Sequence, residues 1–254
     1  NVQKGRQRQF HQLGIESFGL TEPASDAEQI IMLSRLWKSL GLEKKIRLEI
    51  NSIGDIDDRE HYRKELIHYF EKNIEILDDD AKRRLHKNPM RLLDSKNPHM
   101  QSMLEKAPKL IDTINEDAKN HFDSLCQILT DNQVNFQLNK RLVRGLDYYN
   151  RTVFEWVTSD LGSQGTVAGG GRYDYLVERL GGKPTPACGF AIGIERIILL
   201  LENTNFENDI NPDIYIVNLG NESRDKSFTI AENLRNKNYK VIVNLDSASF
   251  KSQM

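Results

Sequence analysis

The sequence predicts an α+β fold in which a sheet flanked by helices carries a helical insertion, and a short α/β unit follows. Three observations support this prediction. Strand-like segments lie on both sides of a charge-dense, glycine-poor stretch at about 56–132, whose residue pattern is helical. A polar linker at 203–212 separates these segments from the end of the chain. Beyond the linker, strand, helix and strand patterns follow one another at the length of a parallel βαβ unit.

The first predicted strand covers residues 6–18, where side chains alternate in character. One face is polar and aromatic and contains Arg8, Phe10, Gln12, Gly14 and Glu16. The more apolar face is expected to pack on the core and contains His11, Leu13, Ile15 and Ser17. Gln12 and Glu16 lie about 13 Å apart along a strand, enough to span a bound amino acid. A solvent-facing polar side is the alternative for the first face.

A helix and a second strand are expected next. The helix covers about 26–40, because Ser25 and Glu28 have the spacing of a capping box and Gly41 is a favourable stop. Its apolar stripe is predicted to lie in the core and consists of Ile30, Leu33, Trp37 and Leu40. Apolar and charged residues then alternate from 46 to 50, which indicates a half-exposed strand.

The remaining elements follow from the same rules. Strands are expected at 134–138, 153–157 and 189–193, and residues 165–168 lead into glycines 169–171. Helices are expected at 175–180, where Gly181 stops the helix, and at 194–201, which carries Glu195 and Arg196. In the last unit, strands at 214–217 and 241–243 enclose a helix at 223–236.

Composition fits a globular protein and excludes few functions. Of 254 residues, 38% are hydrophobic and 28% are charged, and the formal net charge of −2 gives no overall signal for nucleic-acid binding. Cys126 and Cys188 lack the spacing of a disulfide framework or a zinc site, so we expect reduced thiols in a cytoplasmic protein. No apolar run approaches the roughly 18 residues of a membrane span, so no membrane partner is expected.

The segment 144–149, Arg-Gly-Leu-Asp-Tyr-Tyr, carries the strongest functional signal. Arginine offers a planar set of donors that suits carboxylate and phosphate, and tyrosine offers a flat apolar face with one polar end. Just before a strand, Arg144, Asp147, Tyr148 and Tyr149 predict a pocket for a small zwitterion that carries a ring. A loop arginine beside core tyrosines is the alternative that these residues alone leave open.

Four blocks in this order resemble histidyl-tRNA synthetase of the bacterial type, a class II aminoacyl-tRNA synthetase. They are residues 3–19, 144–149, 169–175 (Gly-Gly-Gly-Arg-Tyr-Asp-Tyr) and 189–196 (Gly-Phe-Ala-Ile-Gly-Ile-Glu-Arg). The second block is specific to the family, whereas the last resembles the third motif of class II synthetases in general. The resemblance implies a mostly antiparallel class II catalytic core at 1–202 with the insertion at about 56–132. It further implies the opening part of an α/β anticodon-binding domain at 212–254.

The resemblance also implies roles for individual residues. Arg144 matches the catalytic arginine, between the histidine carboxylate and the α-phosphate of ATP. The implied histidine-binding residues are Gln12 near the α-amino group, Glu16 and Tyr149 near the imidazole, and Tyr148 and Tyr173 in the same pocket. The implied ATP-binding residues are Arg6, Phe10, Glu195 and Arg196, with Phe10 and Arg196 on the two faces of adenine. Gln3 and Lys4 match the second-motif loop, which faces the tRNA acceptor end.

The implied activity is that of an aminoacyl-tRNA ligase. The carboxylate of histidine attacks the α-phosphate of ATP, pyrophosphate leaves, and the histidyl group then moves to the terminal ribose of tRNA(His). Mg²⁺ is expected with ATP, with Glu195 as its candidate ligand. A homodimer is expected for the intact protein, and no DNA partner. Relative to the family, the sequence lacks the first motif and half of the second, so we expect a chain truncated at both ends that need not be active by itself.

Other interpretations remain open at this point. A non-catalytic paralogue could act as a histidine-sensing regulatory subunit, but such relatives tend to lose the arginines that Arg144 and Arg196 match. A third possibility is a synthetase-like module within a larger regulator. The βαβ unit that follows residue 212 favours the enzyme over this possibility.

Charged and metal-binding residue types outside the four blocks are predicted to have ordinary roles. In the insertion, Lys82, Arg83, Arg84 and Lys87 are expected to be a solvated helix face, with contact to a tRNA backbone as the alternative. Cys188 is expected to pack rather than to line a pocket. Surface or core roles, rather than metal binding, are expected of His61, His68, His86, His99 and His121.

Overall fold

The chain forms two compact units in a computed structural model. The model describes residues 8–95, 97–162, 165–202, 204, 211–245 and 249–254. The units are Asn1–Phe206 and Glu207–Met254, and each has its own sheet.

The first unit is built on a mainly antiparallel sheet. Its described strands are β1 Gln12–Phe18, β2 Arg47–Ser52, β3 Phe136–Leu138, β4 Asn150–Val157, β5 Thr166–Arg172 and β6 Ala187–Gly193. They lie in the order β1-β6-β5-β4-β2-β3, and every neighbouring pair is antiparallel except β2 and β3. The predicted α+β fold with a mainly antiparallel sheet is therefore confirmed.

Helices flank this sheet. The described helices of the first unit are α1 Pro23–Ser39, α2 Ile56–Lys72, α3 Asp79–Arg84, α4 Gln101–Lys106, α5 Glu116–Asp131, α6 Leu176–Arg179 and α7 Ile194–Leu201. Short 3-10 helices lie at 74–76, 89–94, 98–100 and 110–112. Local sequence sets several of the helix ends. Asp78 and Asn115 each accept a backbone N–H of the first turn, at 2.8 Å, and so begin α3 and α5.

The main core lies on one face of the sheet, beneath α1 and α5. Ile30, Leu33 and Trp37 of α1 are at most 1% exposed, as their helical spacing predicts. They share one hydrophobic cluster with Leu125 and Leu129 of α5 and with the inward side chains of β2, β4, β5 and β6. This leaves the opposite face of the sheet to the polar and glycine positions of the same strands.

A second cluster joins the segment between β2 and α5 to the edge of the sheet. It contains apolar side chains of α2, α3, α4 and the 3-10 helix at 89–94. Seven of these side chains, each at most 6% exposed, are Tyr62, Leu66, Phe70, Ala81, Leu92, Leu93 and Leu104. Leu142, Tyr149 and Tyr173 belong to the same cluster. The helical segment therefore packs directly against the residues that precede β4 and follow β5.

Local predictions for three elements were wrong. Strand β1 begins at Gln12, and its apolar face does not pack on the core, since Leu13 and Ile15 are 48% and 36% exposed. The reason is that β1 is an edge strand, and α1 packs on its neighbour β6. Helix α1 begins at Pro23 rather than near Ser25, because proline suits the first helical turn. Strand β2 is mostly buried, because β4 and β3 pair with its two sides.

The second unit is a small βαβ arrangement. Strands β7 Ile214–Ile216 and β8 Val241–Val243 are parallel and are joined by α8 Asn221–Arg235, and α9 Phe250–Gln253 follows. Its described core is small and consists of Ala231, Val241 and Val243 with partly buried neighbours. Within the described parts of both units, no helix combines the length and apolar character needed to cross a bilayer.

Candidate active site

Glycines form the floor of the open sheet face. Backbone pairing puts Glu16 of β1 beside Gly189 of β6, which in turn pairs with Gly171 of β5. One row further along, Gly14, Ala191, Gly169 and Glu155 follow each other across four strands. Because side chains in such rows point to the same face, Glu16 and Glu155 rise from a floor that has almost no side chains of its own.

The glycines are required because neighbouring side chains lie over them. A Cβ atom at Gly189 would be 1.4 Å from Glu16 Oε2, and one at Gly169 would be 2.5 Å from Arg144 Nη1. Real Cβ atoms essentially never come within 3.0 Å of such atoms. The first of the three consecutive glycines therefore has a specific role, because Gly169 leaves space for the guanidinium of Arg144.

Glu16 and three tyrosines form one end of the site. The hydroxyl of Tyr173 donates a short hydrogen bond to Glu16 Oε2. The ring of Tyr148 lies 4.6 Å from that of Tyr149 and 5.7 Å from that of Tyr173, measured between centroids. Burial, and then the hydrogen bond to Glu16, raise the pKa of Tyr173, so this hydroxyl stays a donor at neutral pH. The cluster offers a carboxylate and flat apolar rings together, which suits an imidazole.

Arg144 lies beside this cluster and is held by a carboxylate. Its Nη1 donates to Glu155 Oε1, and the second oxygen of Glu155 accepts from Thr166 Oγ1 at 2.8 Å. The guanidinium carbon is 5.6 Å from the centroid of the Tyr149 ring. Arg144 Nε is buried and has no hydrogen-bond acceptor among the described residues. An arginine carries five N–H donors, so Arg144 can still bind a carboxylate or phosphate group.

A cavity of about 980 Å³ lies further along the same face. Its lining includes Arg47, Glu49, Glu155, Thr166 and Arg196. Glu155 therefore borders both the cavity and Arg144. Arg196 donates to the backbone oxygen of Thr166, and Arg196 Cδ would lie 3.4 Å from a Cβ at Gly193. The volume and mixed lining suit a ligand of nucleotide size.

The carboxylate of Glu195 is hydrogen-bonded to His11. Its two oxygens accept from the backbone N–H of His11 at 2.9 and 3.0 Å, and His11 Nδ1 is 2.8 Å from Oε1. The hydrogen bond with the His11 side chain lowers the pKa of Glu195. The described residues contain no group of three or more His, Cys, Asp or Glu side chains that could hold a metal ion. Glu195 therefore ties α7 to the residue that precedes β1.

The other predicted ligand-binding residues are more exposed or lie outside the described residues. Phe10 is 58% exposed, and Gln12 is exposed and pairs with Gly193 in the sheet. Gln12 and Glu16 share the glycine-floored face, as the alternation predicts. Gln3, Lys4 and Arg6 lie outside the described residues.

The sequence reading missed a buried ionic network beneath the site. Arg172 and Asp26 are both 0% exposed, and Arg172 Nη2 lies 2.5 Å from Asp26 Oδ1. His121 Nε2 lies 2.8 Å from Asp26 Oδ2, and Arg172 Nη1 also donates to Asp174 at 3.0 Å. Burial by itself raises the pKa of Asp26, but the His121 hydrogen bond and the charge of Arg172 outweigh it and lower the pKa. This network ties β5 to α1 and α5 directly next to Tyr173.

One sequence signal could have revealed the network. Arg172 shares a strand face with Ala168 and Gly170, which is the core face of β5. A charged residue on a core face needs a buried partner. His121 thus has a core role, and Cys188, which is 1% exposed, packs in the same region, as both were predicted to do.

Comparisons with known proteins identify the family. The model of the family described as histidyl-tRNA synthetase matches residues 1–197. A histidine–tRNA ligase from Methylobacillus flagellatus is 57% identical over 254 residues, which are 100% of this chain and 61% of that protein. One from Dechloromonas aromatica is 54% identical over 253 residues, 99% of this chain and 59% of that protein.

A solved structure is also similar. The apo histidyl-tRNA synthetase of S. aureus has a TM-score of 0.68 and 35% identity, over 97% of this chain and 61% of that chain. The mainly antiparallel sheet flanked by helices is thus the fold of an aminoacyl-tRNA synthetase. The chain belongs to the histidyl-tRNA synthetase family. It spans about three fifths of the length of the curated relatives that it matches.

Proposed function

We propose that the full-length protein containing this chain is a histidine–tRNA ligase. It would activate histidine with ATP to form histidyl-adenylate and pyrophosphate, and then transfer histidine to tRNA(His). The observation that carries the proposal is that Arg144, with an unused buried donor, lies beside Glu16, Tyr149 and Tyr173 on one sheet face. Membership of the synthetase family supports the same conclusion.

Histidine would bind with its imidazole between the tyrosines and Glu16. The carboxylate of Glu16 would accept an imidazole N–H, while Tyr149 and Tyr148 supply the aromatic walls and Tyr173 keeps Glu16 in place. An apolar amino acid of similar size would leave this carboxylate unpaired, which costs far more than a missing methylene group. Gln12 lies on the same face of β1 as Glu16, and it is the proposed contact of the α-amino group of histidine.

Arg144 would provide the charge that the first chemical step requires. A carboxylate and a phosphate are both anionic, so their reaction needs positive charge at the point where they meet. Arg144 is fixed by Glu155 on one side, and its remaining donors can bridge the histidine carboxylate and the α-phosphate. Because Glu155 is itself held by Thr166, the guanidinium is positioned before the substrates arrive.

ATP would occupy the neighbouring cavity that Arg196 lines. Arg196 and Phe10 are the proposed partners for the two faces of adenine, and Arg6 is the proposed phosphate contact. Glu195, which also accepts hydrogen bonds from His11, is the proposed Mg²⁺ ligand beside the nucleotide. Mg²⁺ would enter with the nucleotide, since it is usually held by few carboxylates together with substrate phosphates.

The remaining expectations concern the whole protein. We propose that Gln3 and Lys4 contact tRNA, that residues 1–202 form the catalytic core with its insertion at 56–132, and that 212–254 open the anticodon-binding domain. A homodimer in the cytoplasm, without DNA or membrane partners, completes the proposal. A regulatory, histidine-sensing paralogue is disfavoured, since both Arg144 and Arg196 are present.

The test is adenylate formation by the full-length protein with Arg144→Ala. We expect this variant to lose nearly all histidine-dependent ATP–pyrophosphate exchange while it remains folded. Arg83→Ala is a matched control, because Arg83 is 75% exposed and pairs only with Asp80 among the described residues. Exchange by the Arg144 variant at the rate of the unsubstituted protein would contradict the proposal.

A further inference from the structure

The loop that carries Arg144 has no regular secondary structure. Residues 142–149 lie between the turn after β3 and the start of β4, and none of them is part of a strand or helix. Backbone carbonyls in such a loop are outside any sheet ladder, so side chains or water can bind them. Side chains that bind these carbonyls restrict the backbone of the loop, while Glu155 holds the guanidinium of Arg144.

Side chains from the helical segment bind two of them, and Asn51 of β2 donates to a third, the backbone oxygen of Leu142, at 3.0 Å. Arg91, in the 3-10 helix at 89–94, donates to the backbone oxygen of Gly145, directly next to Arg144. Arg59 of α2 donates to the backbone oxygen of Asp147 at 3.1 Å. Asn88 Nδ2 lies 3.4 Å from the Asp147 carboxylate. Arg91 and Arg59 thus hold the carbonyls of Gly145 and Asp147, and Asn88 contacts the side chain of Asp147.

The elements that carry Arg91 and Arg59 are anchored by buried side chains. Leu92 and Leu93, which follow Arg91, are each 2% exposed. Tyr62, Leu66 and Phe70 anchor α2 in the same cluster, at most 1% exposed. Arg91 and Arg144 also border the same cavity, of about 260 Å³, together with Gly145. The position of the loop is therefore fixed relative to the helical segment rather than to the sheet alone.

We propose that Arg91 and Arg59 are positioning residues for the activation step: they hold the 142–149 loop so that Arg144 meets the reacting groups. The inference rests on the proposed function of Arg144 and adds to it. The helical segment is then part of the machinery for histidine activation and not only an appendage of the catalytic core.

The size of the effect follows from geometry. Arg91 holds the carbonyl one residue away from Arg144, and a misplacement of a catalytic group by about 1 Å can cost on the order of 100-fold in rate. Arg91 does not take part in the Glu16 and tyrosine cluster or in the cavity of Arg196. The loss is therefore expected in kcat rather than in the KM values of histidine and ATP.

The experiment compares Arg91→Met, Arg91→Lys and Arg83→Met in the full-length protein, by ATP–pyrophosphate exchange. Arg83→Met removes the same charge from a nearby exposed position. We expect Arg91→Met to lower kcat by about 10- to 100-fold with KM values within about threefold. Arg91→Lys, which keeps one donor, should recover part of the rate, and Arg83→Met should match the unsubstituted protein. Equal kcat for Arg91→Met and Arg83→Met would overturn the proposal, as would a fall in activity that follows a fall in thermal stability.

A second measurement does not depend on the proposed activity. Amide hydrogen exchange of residues 142–149 should be faster in Arg91→Met than in Arg83→Met, because the loop has lost a fixed contact. Unchanged exchange in this segment would overturn the positioning role even if the enzyme is active. Suppose instead that amide exchange is faster but the protein shows no histidine-dependent reaction. That result would contradict the proposed function, while the role of Arg91 in holding the loop would stand.

Discussion

Gly189→Ala tests whether the Glu16 carboxylate selects histidine. The added Cβ would lie 1.4 Å from Glu16 Oε2 and 2.3 Å from its Cδ, far inside the 3.0 Å limit. The obstructed atoms are the end of a flexible side chain, so the carboxylate can swing away and the strand can stay in place. The substitution should therefore remove Glu16 from the pocket without unfolding the sheet.

The magnitude follows from the hydrogen bond that the substrate would lose. A hydrogen bond to a charged group is worth about 1.5–3 kcal/mol. Since about 1.4 kcal/mol corresponds to a factor of ten, kcat/KM for histidine should fall roughly 10- to 100-fold. The KM for ATP should be unchanged, because the cavity of Arg196 does not include Gly189 or Glu16. The assay is ATP–pyrophosphate exchange at varied histidine concentration.

Two comparisons make this prediction sharp. Gly189→Ala and Glu16→Gln should not be additive, because both act through one carboxylate. Gly170→Ala is the contrast: its Cβ would lie 2.1 Å from the backbone oxygen of Gly189, so the strands must shift, at a cost of about 1–3 kcal/mol in stability. Fully additive effects of the first pair, or a Gly189→Ala enzyme with normal histidine dependence, would show that the Glu16 carboxylate does not select histidine.

Three further predictions concern the pocket and the network beneath it. Glu16→Gln should raise the KM for histidine and leave that for ATP unchanged, and an unaltered response to histidine concentration in exchange assays would count against it. Arg172→Met leaves Asp26 buried without its charge partner and should lower the free energy of unfolding by about 3–5 kcal/mol in denaturant titrations, whereas Arg83→Met should change it by less than about 0.5 kcal/mol. The pKa of Asp26 is lowered on folding, so its contribution to stability is present above the unfolded value of 3.8 and is lost as pH falls through the lower folded value. The difference in unfolding free energy between the unsubstituted protein and Asp26→Asn should thus narrow below about pH 4, and a difference independent of pH would contradict this.

The sequence was most informative where local pattern and local chemistry coincide. Helical spacing identified the buried stripe of α1, and Gly41, with a φ of 66°, ends that helix as expected. The family resemblance predicted that Glu16 and Tyr173 line one pocket, and these two side chains are in contact. Their roles in binding histidine remain predictions that the experiments above address.

The sequence was least informative where the result depends on what packs on an element. Alternation shows which face of β1 is apolar, but not that Leu13 and Ile15 remain exposed on an edge strand. Asp26 in isolation is an ordinary acidic residue in the first turn of a helix. It becomes the partner of Arg172 only because α1 packs beneath β5 and β6, a contact between residues 146 positions apart. Pairings of this kind come from tertiary structure and have no local signal.

The most direct test of the account is ATP–pyrophosphate exchange by the full-length protein, with each amino acid supplied in turn. The site combines a carboxylate, aromatic walls and an arginine with an unused donor, so exchange should occur with histidine and with no other amino acid. Exchange with another amino acid, or none with histidine in a folded protein, would contradict the account.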